Sequence, residues 1–169
     1  MRREFKKVIL FALLIFVTAY GCSEKKESPP EKTEPKKAAE FTLTLFDGSV
    51  FRLSDHRGKP VVLNFWASWC GPCKREAPEL EKAFKKYSDK GVVFLGVAVQ
   101  DTEEDAKKFI KKYGLTFPTG LDSDQNLTDL YGVMGVPTTF IINKEGIIVY
   151  THLGAVTEDL LEDELEKLL

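Results

Sequence analysis

The sequence predicts an α/β protein in which a central mixed sheet is flanked by helices. Two continuous apolar runs, at residues 61–66 and 92–99, have the length and composition of strands that are covered on both faces. Each run is followed by a segment with apolar residues at helical spacing, over residues 71–88 and 102–114. Strands that alternate with helices are typical of α/β domains. A Cys-Gly-Pro-Cys sequence at residues 70–73 lies where the first run turns into the first helix.

An N-terminal β-hairpin is expected before the first buried run. Residues 41–45 alternate in polarity as a strand does, Asp-Gly at 47–48 is a turn signal, and residues 50–53 return as the partner strand. The helix after the first buried run contains Pro78, which is expected to kink it.

The second half of the domain continues the alternation. Thr102 begins the second helix with a capping-box-like start, and Gly114 ends it. A short strand near Phe117 and a short helix over residues 124–131 are expected as a central α/β insertion. The final elements are hairpin strands at 139–143 and 147–152 and a helix that is capped by Thr157 and carries Leu161, Leu165 and Leu168.

The N-terminus predicts export. Residues 1–21 have a basic start and then an apolar stretch, which is shorter than the roughly 20 residues of a membrane span and is typical of a signal peptide. The following Cys22 completes a sequence that resembles a bacterial lipobox, although Ala19 stands where a larger aliphatic residue is usual. Lipidation of Cys22 is therefore expected, with an uncleaved anchor helix as the alternative. Both place the protein on a membrane, facing the periplasm or the cell exterior.

The segment after Cys22 predicts a tether. Residues 23–40 contain no large apolar side chain, so they cannot offset the entropy cost of ordering. The expected organisation is a signal peptide at 1–21, a disordered lipid-anchored tether at 22–40 and a folded domain at 41–169.

Composition excludes several classes of function. The net charge is −2, and no basic patch suggests a nucleic-acid partner. Lipid on Cys22 leaves one cysteine pair, which is too few for a disulfide scaffold. His56 is expected to be solvated in a turn and His152 to be structural, and neither has metal-ligand spacing to the cysteine pair. We expect a monomer without a metal or another cofactor.

The Cys-Gly-Pro-Cys sequence predicts redox chemistry. A helix N-terminus favours negative charge, so Cys70 ionises more readily there. The thiolate is the form that attacks disulfides. Cys73 lies one turn further and can resolve the mixed disulfide. Cys70 and Cys73 are thus expected to form a redox-active disulfide, with Cys70 as the nucleophile.

Three motifs together resemble the thioredoxin fold. They are Asn64-Phe-Trp-Ala-Ser-Trp-Cys-Gly-Pro-Cys73, then Pro78, then Gly135-Val-Pro-Thr-Thr-Phe140. Within that fold they resemble the ResA/TlpA-like extracytoplasmic thiol–disulfide oxidoreductases, and the resemblance runs from about Phe41 to Leu169.

The resemblance implies a substrate-binding surface beside the cysteines. It implies a cis peptide bond between Val136 and Pro137 that lies against the CxxC pair. A substrate strand would then pair with the backbone of Val136, since proline leaves this edge open. Trp69 is expected to shield Cys70. The expected substrate-binding residues are therefore Trp69, Val136 and Pro137.

Two polar residues distinguish the chain from cytosolic thioredoxins. Asn64 stands where those proteins carry a buried aspartate, and the ResA-like group is similar to this chain instead. That group also has a glutamate where Glu76 stands, three residues after Cys73 and on the same helix face. A carboxyl beside an apolar sheet has a raised pKa and can shuttle the resolving proton. The alternative is a solvated glutamate in a first helical turn.

The resemblance implies a reductase that acts on protein disulfides outside the cytoplasm. The Gly-Pro dipeptide between the cysteines matches strongly reducing thioredoxins, with a potential of about −270 mV. In the family, a membrane electron donor of the thiol–disulfide transporter type re-reduces the protein, and a common substrate is the haem-binding CxxCH of apocytochrome c.

Two other functions exist on the same fold. Thiol peroxidases typically read Pro-x-x-x-Thr-x-x-Cys, but here Leu63 and Ala67 occupy the proline and threonine positions. A copper-delivery protein could use Cys70, Cys73 and a histidine, because soft thiolates suit Cu(I). Copper-delivery relatives usually space the cysteines by three residues, whereas here there are two.

Overall fold

The computed structural model describes residues 36–169. The expected signal peptide, Cys22 and most of the expected tether lie outside the described residues. Within the described part, no helix is both long and apolar enough to cross a membrane.

Residues 36–169 form seven strands and four α-helices, together with two short 3₁₀ turns. The strands are β1 (Thr42–Thr44), β2 (Val50–Arg52), β3 (Val61–Trp66), β4 (Val93–Val99), β5 (Thr119–Asp122), β6 (Thr138–Ile142) and β7 (Ile148–Leu153). The α-helices are α1 (Gly71–Tyr87), α2 (Glu103–Tyr113), α3 (Asn126–Tyr131) and α4 (Glu158–Leu165).

The central sheet has five strands in the order β5-β4-β3-β6-β7. β3 and β4 are parallel, as are β4 and β5, whereas β6 is antiparallel to both β3 and β7. The expected mixed sheet is confirmed. β1 and β2 form the expected N-terminal hairpin as a separate two-stranded sheet, and β5 with α3 forms the central insertion.

The central strand β3 is buried over all six residues because both faces of the sheet are covered. Val62 and Trp66 face the core that contains α1, α2 and α4. Leu63 and Phe65 face the opposite core, which the N-terminal hairpin and α3 complete. Side chains alternate between faces along a strand, so Asn64 lies on the same face as Val62 and Trp66. That face carries α1, which contains Cys73.

Most helix ends follow the sequence signals. Thr102 and Thr157 accept hydrogen bonds from the backbone N–H groups of Asp105 and Leu160, and Gly114 ends α2 in the left-handed conformation. Helix α1 continues through Pro78. Helix α3 begins at Asn126 instead of residue 124, because Gln125 has a left-handed φ of 59°.

The short strand expected near Phe117 is β5, which begins at Thr119 because Pro118 has no N–H to give to a strand ladder. Two other local expectations were wrong. The returning strand of the first hairpin ends at Arg52, and a 3₁₀ turn begins at Leu53. His56 is half-buried, with its ring 4.4 Å from that of Phe51, and burial lowers the pKa of His56.

The packed region begins earlier than the sequence indicates. Residues 36–40 were expected to belong to the tether, but Ala38 is buried and donates its N–H to the Gly146 carbonyl at 2.9 Å. Ile148 donates its N–H to the Lys36 carbonyl at 2.9 Å, and Tyr131 donates its hydroxyl to the Ala39 carbonyl at 2.8 Å. These hydrogen bonds to backbone groups, together with the small buried side chain of Ala38, hold a segment that has no large apolar side chain.

Candidate active site

The cysteine pair lies at the N-terminus of α1, as the sequence predicts. Cys70 is the N-cap residue, and a disulfide joins it to Cys73. The Cys70 sulfur accepts a hydrogen bond from the backbone N–H of Cys73, with 3.1 Å between sulfur and nitrogen. The first N–H groups of a helix have no partner within the helix. They are therefore free to stabilise negative charge on the Cys70 sulfur.

The loop that contains the cis-proline lies against this pair. The Val136–Pro137 peptide bond is cis, as expected, and Pro137 is buried. The Cys70 sulfur lies 3.6 Å from the carbonyl oxygen of Val136. Two segments that are more than sixty residues apart in sequence thus meet at the sulfur atom.

Exposed apolar side chains surround the cis-proline loop. Trp69 is 57% exposed and, with Val136 and Met134, lines a cavity of about 190 Å³. A second cavity of about 410 Å³ lies between Met134, Pro137 and Leu153. Met134 and Leu153 are 95% and 70% exposed, the two highest values among the large apolar residues of the described part. Neither residue stands out in the sequence, because Met134 lies just before the Gly135–Phe140 motif and Leu153 just after the strand expected at 147–152.

Glu76 is buried beside β3, at 1% exposure. Its Oε1 accepts a hydrogen bond from Asn64 Nδ2 at 3.0 Å, and its Oε2 accepts one from the Val156 N–H at 3.1 Å. Burial raises the pKa of the Glu76 carboxyl from its ordinary 4.5 to about 7, although both hydrogen bonds oppose the shift. Glu76 is therefore not a solvated residue of the first helical turn.

Asn64 links Glu76 to the neighbouring strand. Its Nδ2 also donates to Thr139 Oγ1 at 2.9 Å, across the β3–β6 pair. Its Oδ1 is buried and has no hydrogen-bond partner. Rotation of the amide would let Oδ1 accept the proton of a neutral Glu76, so the network can serve either protonation state of the carboxyl. Thr139 lies in the Gly135–Phe140 motif, but its role was missed, because strand register is not visible in sequence.

The residues that a thiol peroxidase or a copper-delivery protein would use have different surroundings in this structure. Leu63 and Ala67 are fully buried apolar residues, so these two positions supply no hydroxyl near Cys70. His152 lies on β7 with its Nδ1 3.4 Å from the hydroxyl of Tyr150. Over residues 36–169 no group of three or more His, Cys, Asp or Glu side chains is placed to hold a metal ion.

Comparisons with known proteins agree with this geometry. A family model described as the AhpC/TSA family matches residues 35–151. The thiol-disulfide oxidoreductase ResA of Bacillus anthracis is 38% identical over 163 residues, which are 96% of this chain and 94% of the relative.

Solved structures show the same fold. A thiol:disulfide interchange protein of the thioredoxin family from Chlorobium tepidum has a TM-score of 0.74 and 25% identity, and the match covers 80% of this chain and 97% of that one. A secreted disulfide oxidoreductase from Mycobacterium tuberculosis has a TM-score of 0.69 and 30% identity, and the match covers 76% of this chain and 96% of that one. The chain therefore belongs to the AhpC/TSA family of thioredoxin-fold proteins, and it is a thiol–disulfide oxidoreductase.

Proposed function

We propose that this oxidoreductase works as a reductant of protein disulfides outside the cytoplasm. The observation that carries the proposal is the position of the Cys70 sulfur, which receives the Cys73 N–H and lies 3.6 Å from the Val136 carbonyl oxygen. One side of the sulfur is thus held by a group that stabilises a thiolate. The other side meets a backbone edge that a substrate strand can pair with.

The reaction transfers two electrons from the cysteine pair to the substrate. The Cys70 thiolate attacks one substrate sulfur, so that a mixed disulfide forms and the other substrate sulfur leaves as a thiolate. The Cys73 thiolate then attacks the Cys70 sulfur. This step forms the Cys70–Cys73 disulfide and releases the second substrate thiolate. The substrate disulfide is reduced to two thiols, and the enzyme dithiol is oxidised.

Glu76 assists the second step. Cys73 must lose its proton before it can attack, and a carboxyl with a pKa of about 7 is half-ionised near neutral pH. Glu76 lies three residues after Cys73 on the same face of α1, and both side chains are buried. Glu76 accepts the Cys73 proton and returns it when the pair is reduced again.

Trp69, Val136 and Pro137 bind the substrate. An extended substrate segment pairs with the backbone at Val136, and its side chains meet the apolar surface formed by Trp69, Met134 and Leu153. The high exposure of those three side chains supports this role, because large exposed apolar patches mark interaction sites.

The N-terminal sequence and one relative support the proposed location. Residues 1–21 act as a signal peptide, and Cys22 carries the lipid that anchors a monomeric domain to the membrane. A relative from Mycobacterium tuberculosis is described as secreted. Fatty-acid labelling of cells is expected to mark the wild-type protein and not Cys22→Ser. A membrane-bound wild-type protein that still begins at Met1 would support the uncleaved anchor instead.

The proposed substrate is the CxxCH segment of apocytochrome c, and a membrane thiol–disulfide transporter supplies the electrons. An oxidising compartment requires such a donor, because a low-potential dithiol would otherwise remain oxidised. The Cys70–Cys73 pair is expected to be mostly reduced in growing cells. Its midpoint potential is expected to be about −270 mV.

Deletion of the gene tests the substrate. Covalent c-type haem is expected to fall in the deletion strain and to recover when thiol is added to the medium. Normal cytochromes would remove this substrate but leave the reductase chemistry intact. A mostly oxidised pair, with a potential above the roughly −200 to −230 mV of glutaredoxins, would indicate a disulfide donor instead.

A further inference from the structure

The loop after β4 is bonded to the loop that precedes the cysteines. The Asp101 carboxylate accepts the Ser68 N–H at 2.6 Å through Oδ2 and the Ser68 hydroxyl at 2.9 Å through Oδ1. The carbonyl of Gln100 accepts the indole N–H of Trp69 at 2.9 Å. Gln100 and Asp101 thus hydrogen-bond to the two residues directly before Cys70. Asp101 Oδ1 also accepts the N–H of Thr102.

Gln100 has an unfavourable backbone conformation. Gln100 and Gln125 are the two non-glycine residues of the described part with a positive φ, at 49° and 59°. The side chain of Gln100 donates a hydrogen bond to that of Gln125 at 3.2 Å. Strained residues of this kind persist where surrounding contacts hold them, and they cluster at functional sites. The strain therefore lies at the residue whose carbonyl holds Trp69.

Trp69 is the side chain that this arrangement fixes. More than half of its surface is exposed, so packing alone does not hold the indole in place. Gln100 and Trp69 line the same cavity as Val136, beside the cis-proline loop. A surface side chain that is fixed before binding loses less conformational entropy when a partner docks.

We propose that Gln100 and Asp101 are positioning residues that fix Trp69 beside Cys70, so that a protein disulfide meets a preformed docking surface. This inference rests on the proposed substrate-binding role of Trp69. It predicts that loss of the Asp101 contacts weakens docking of a large substrate while the sulfur chemistry itself continues. A merely structural role of Asp101 would change stability and leave KM unchanged in the folded enzyme.

The test uses the full chain, with insulin as the protein disulfide and glutathione disulfide as the small one. For Asp101→Ala, KM for insulin is expected to rise about tenfold, as for the loss of hydrogen bonds to a charged group. The rate with glutathione disulfide is expected to stay within about twofold. Asp47 is a matched control, because it accepts the N–H and the hydroxyl of Ser49 at 2.8 and 2.7 Å in a turn of the N-terminal hairpin. Asp47→Ala is expected to leave both values unchanged.

A double-variant cycle connects the effect to Trp69. In a Trp69→Ala background, Asp101→Ala is expected to change KM by less than about twofold, because coupled residues are non-additive. If Asp101→Ala does not fold, Asp101→Asn keeps one acceptor oxygen and is expected to raise KM about threefold.

Two results would overturn the positioning role. One is an unchanged KM for insulin in Asp101→Ala and Asp101→Asn. The other is a full tenfold rise in KM for insulin when Asp101→Ala is made in the Trp69→Ala background. The reductase assignment is tested separately by the loss of insulin reduction in Cys70→Ser.

Discussion

Replacement of Cys70 by serine is expected to lower disulfide reductase activity at least about a thousandfold. A serine hydroxyl is not ionised near neutral pH and cannot replace a thiolate whose charge the Cys73 N–H stabilises. Cys73→Ser is expected to behave differently, since it retains the nucleophile but not the resolving thiol. It should accumulate a mixed disulfide between Cys70 and the substrate. Insulin reduction and non-reducing gels measure the two outcomes.

The third cysteine supplies the matched control for these variants. Cys22→Ser is expected to reduce insulin in detergent solution at the wild-type rate. Alkylation of the reduced enzyme near neutral pH should label Cys70 much faster than Cys73. Equal or inverted labelling rates, or a Cys70→Ser enzyme that still turns over, would contradict the assignment of the nucleophile. The Cys73→Ser variant also serves to capture the physiological substrate in its own cell.

The second large effect concerns Glu76 and pH. The carboxyl has a pKa of 4.5 when solvated and about 7 in the fold. Below about pH 4.5 the folded and unfolded chains both hold the proton, and between 4.5 and 7 the folded chain alone does. Glu76 therefore makes the fold less stable as pH rises through this window, by about 3 kcal/mol in total.

Glu76→Gln is expected to lose this dependence. From about pH 4 to about pH 8, its free energy of unfolding should rise by about 3 kcal/mol relative to that of the wild type. Turnover should fall by about tenfold or more, with a changed pH profile for the steps that involve Cys73. Urea unfolding of the oxidised enzymes at both pH values, and pH–rate profiles, measure the two effects.

Glu79 is the control on the same helix. Its hydrogen bond with Lys82 lowers the pKa of this half-buried carboxyl, so Glu79→Gln should not gain stability relative to the wild type as pH rises. Its turnover should match that of the wild type. A Glu76→Gln enzyme with the stability and rate profiles of the wild type would show that the carboxyl has no part in proton transfer.

Much of the fold is visible in the sequence because its signals are local. The continuous apolar run at 61–66 indicates a strand covered on both faces, and Thr102 and Gly114 mark the two ends of one helix. The order of strands and helices then restricts the sheet to few arrangements. The ordering of residues 36–40 is not visible in the sequence, because backbone hydrogen bonds to β7 and its turn and the small buried side chain of Ala38 hold them.

The sequence by itself determined the chemistry of this protein, whereas the tertiary structure decided how that chemistry is tuned. Four consecutive residues, Cys70–Cys73, contain both the cysteine that caps the helix and the second cysteine one turn later. The protonation of Glu76 does not depend on its neighbours in sequence alone. Its hydrogen bonds come from Asn64 on β3 and from Val156, eighty residues away, and the fold buries it. The placement of Trp69 likewise depends on a loop more than thirty residues further along the chain. Burial, pKa and side-chain position depend on atoms that only folding brings together.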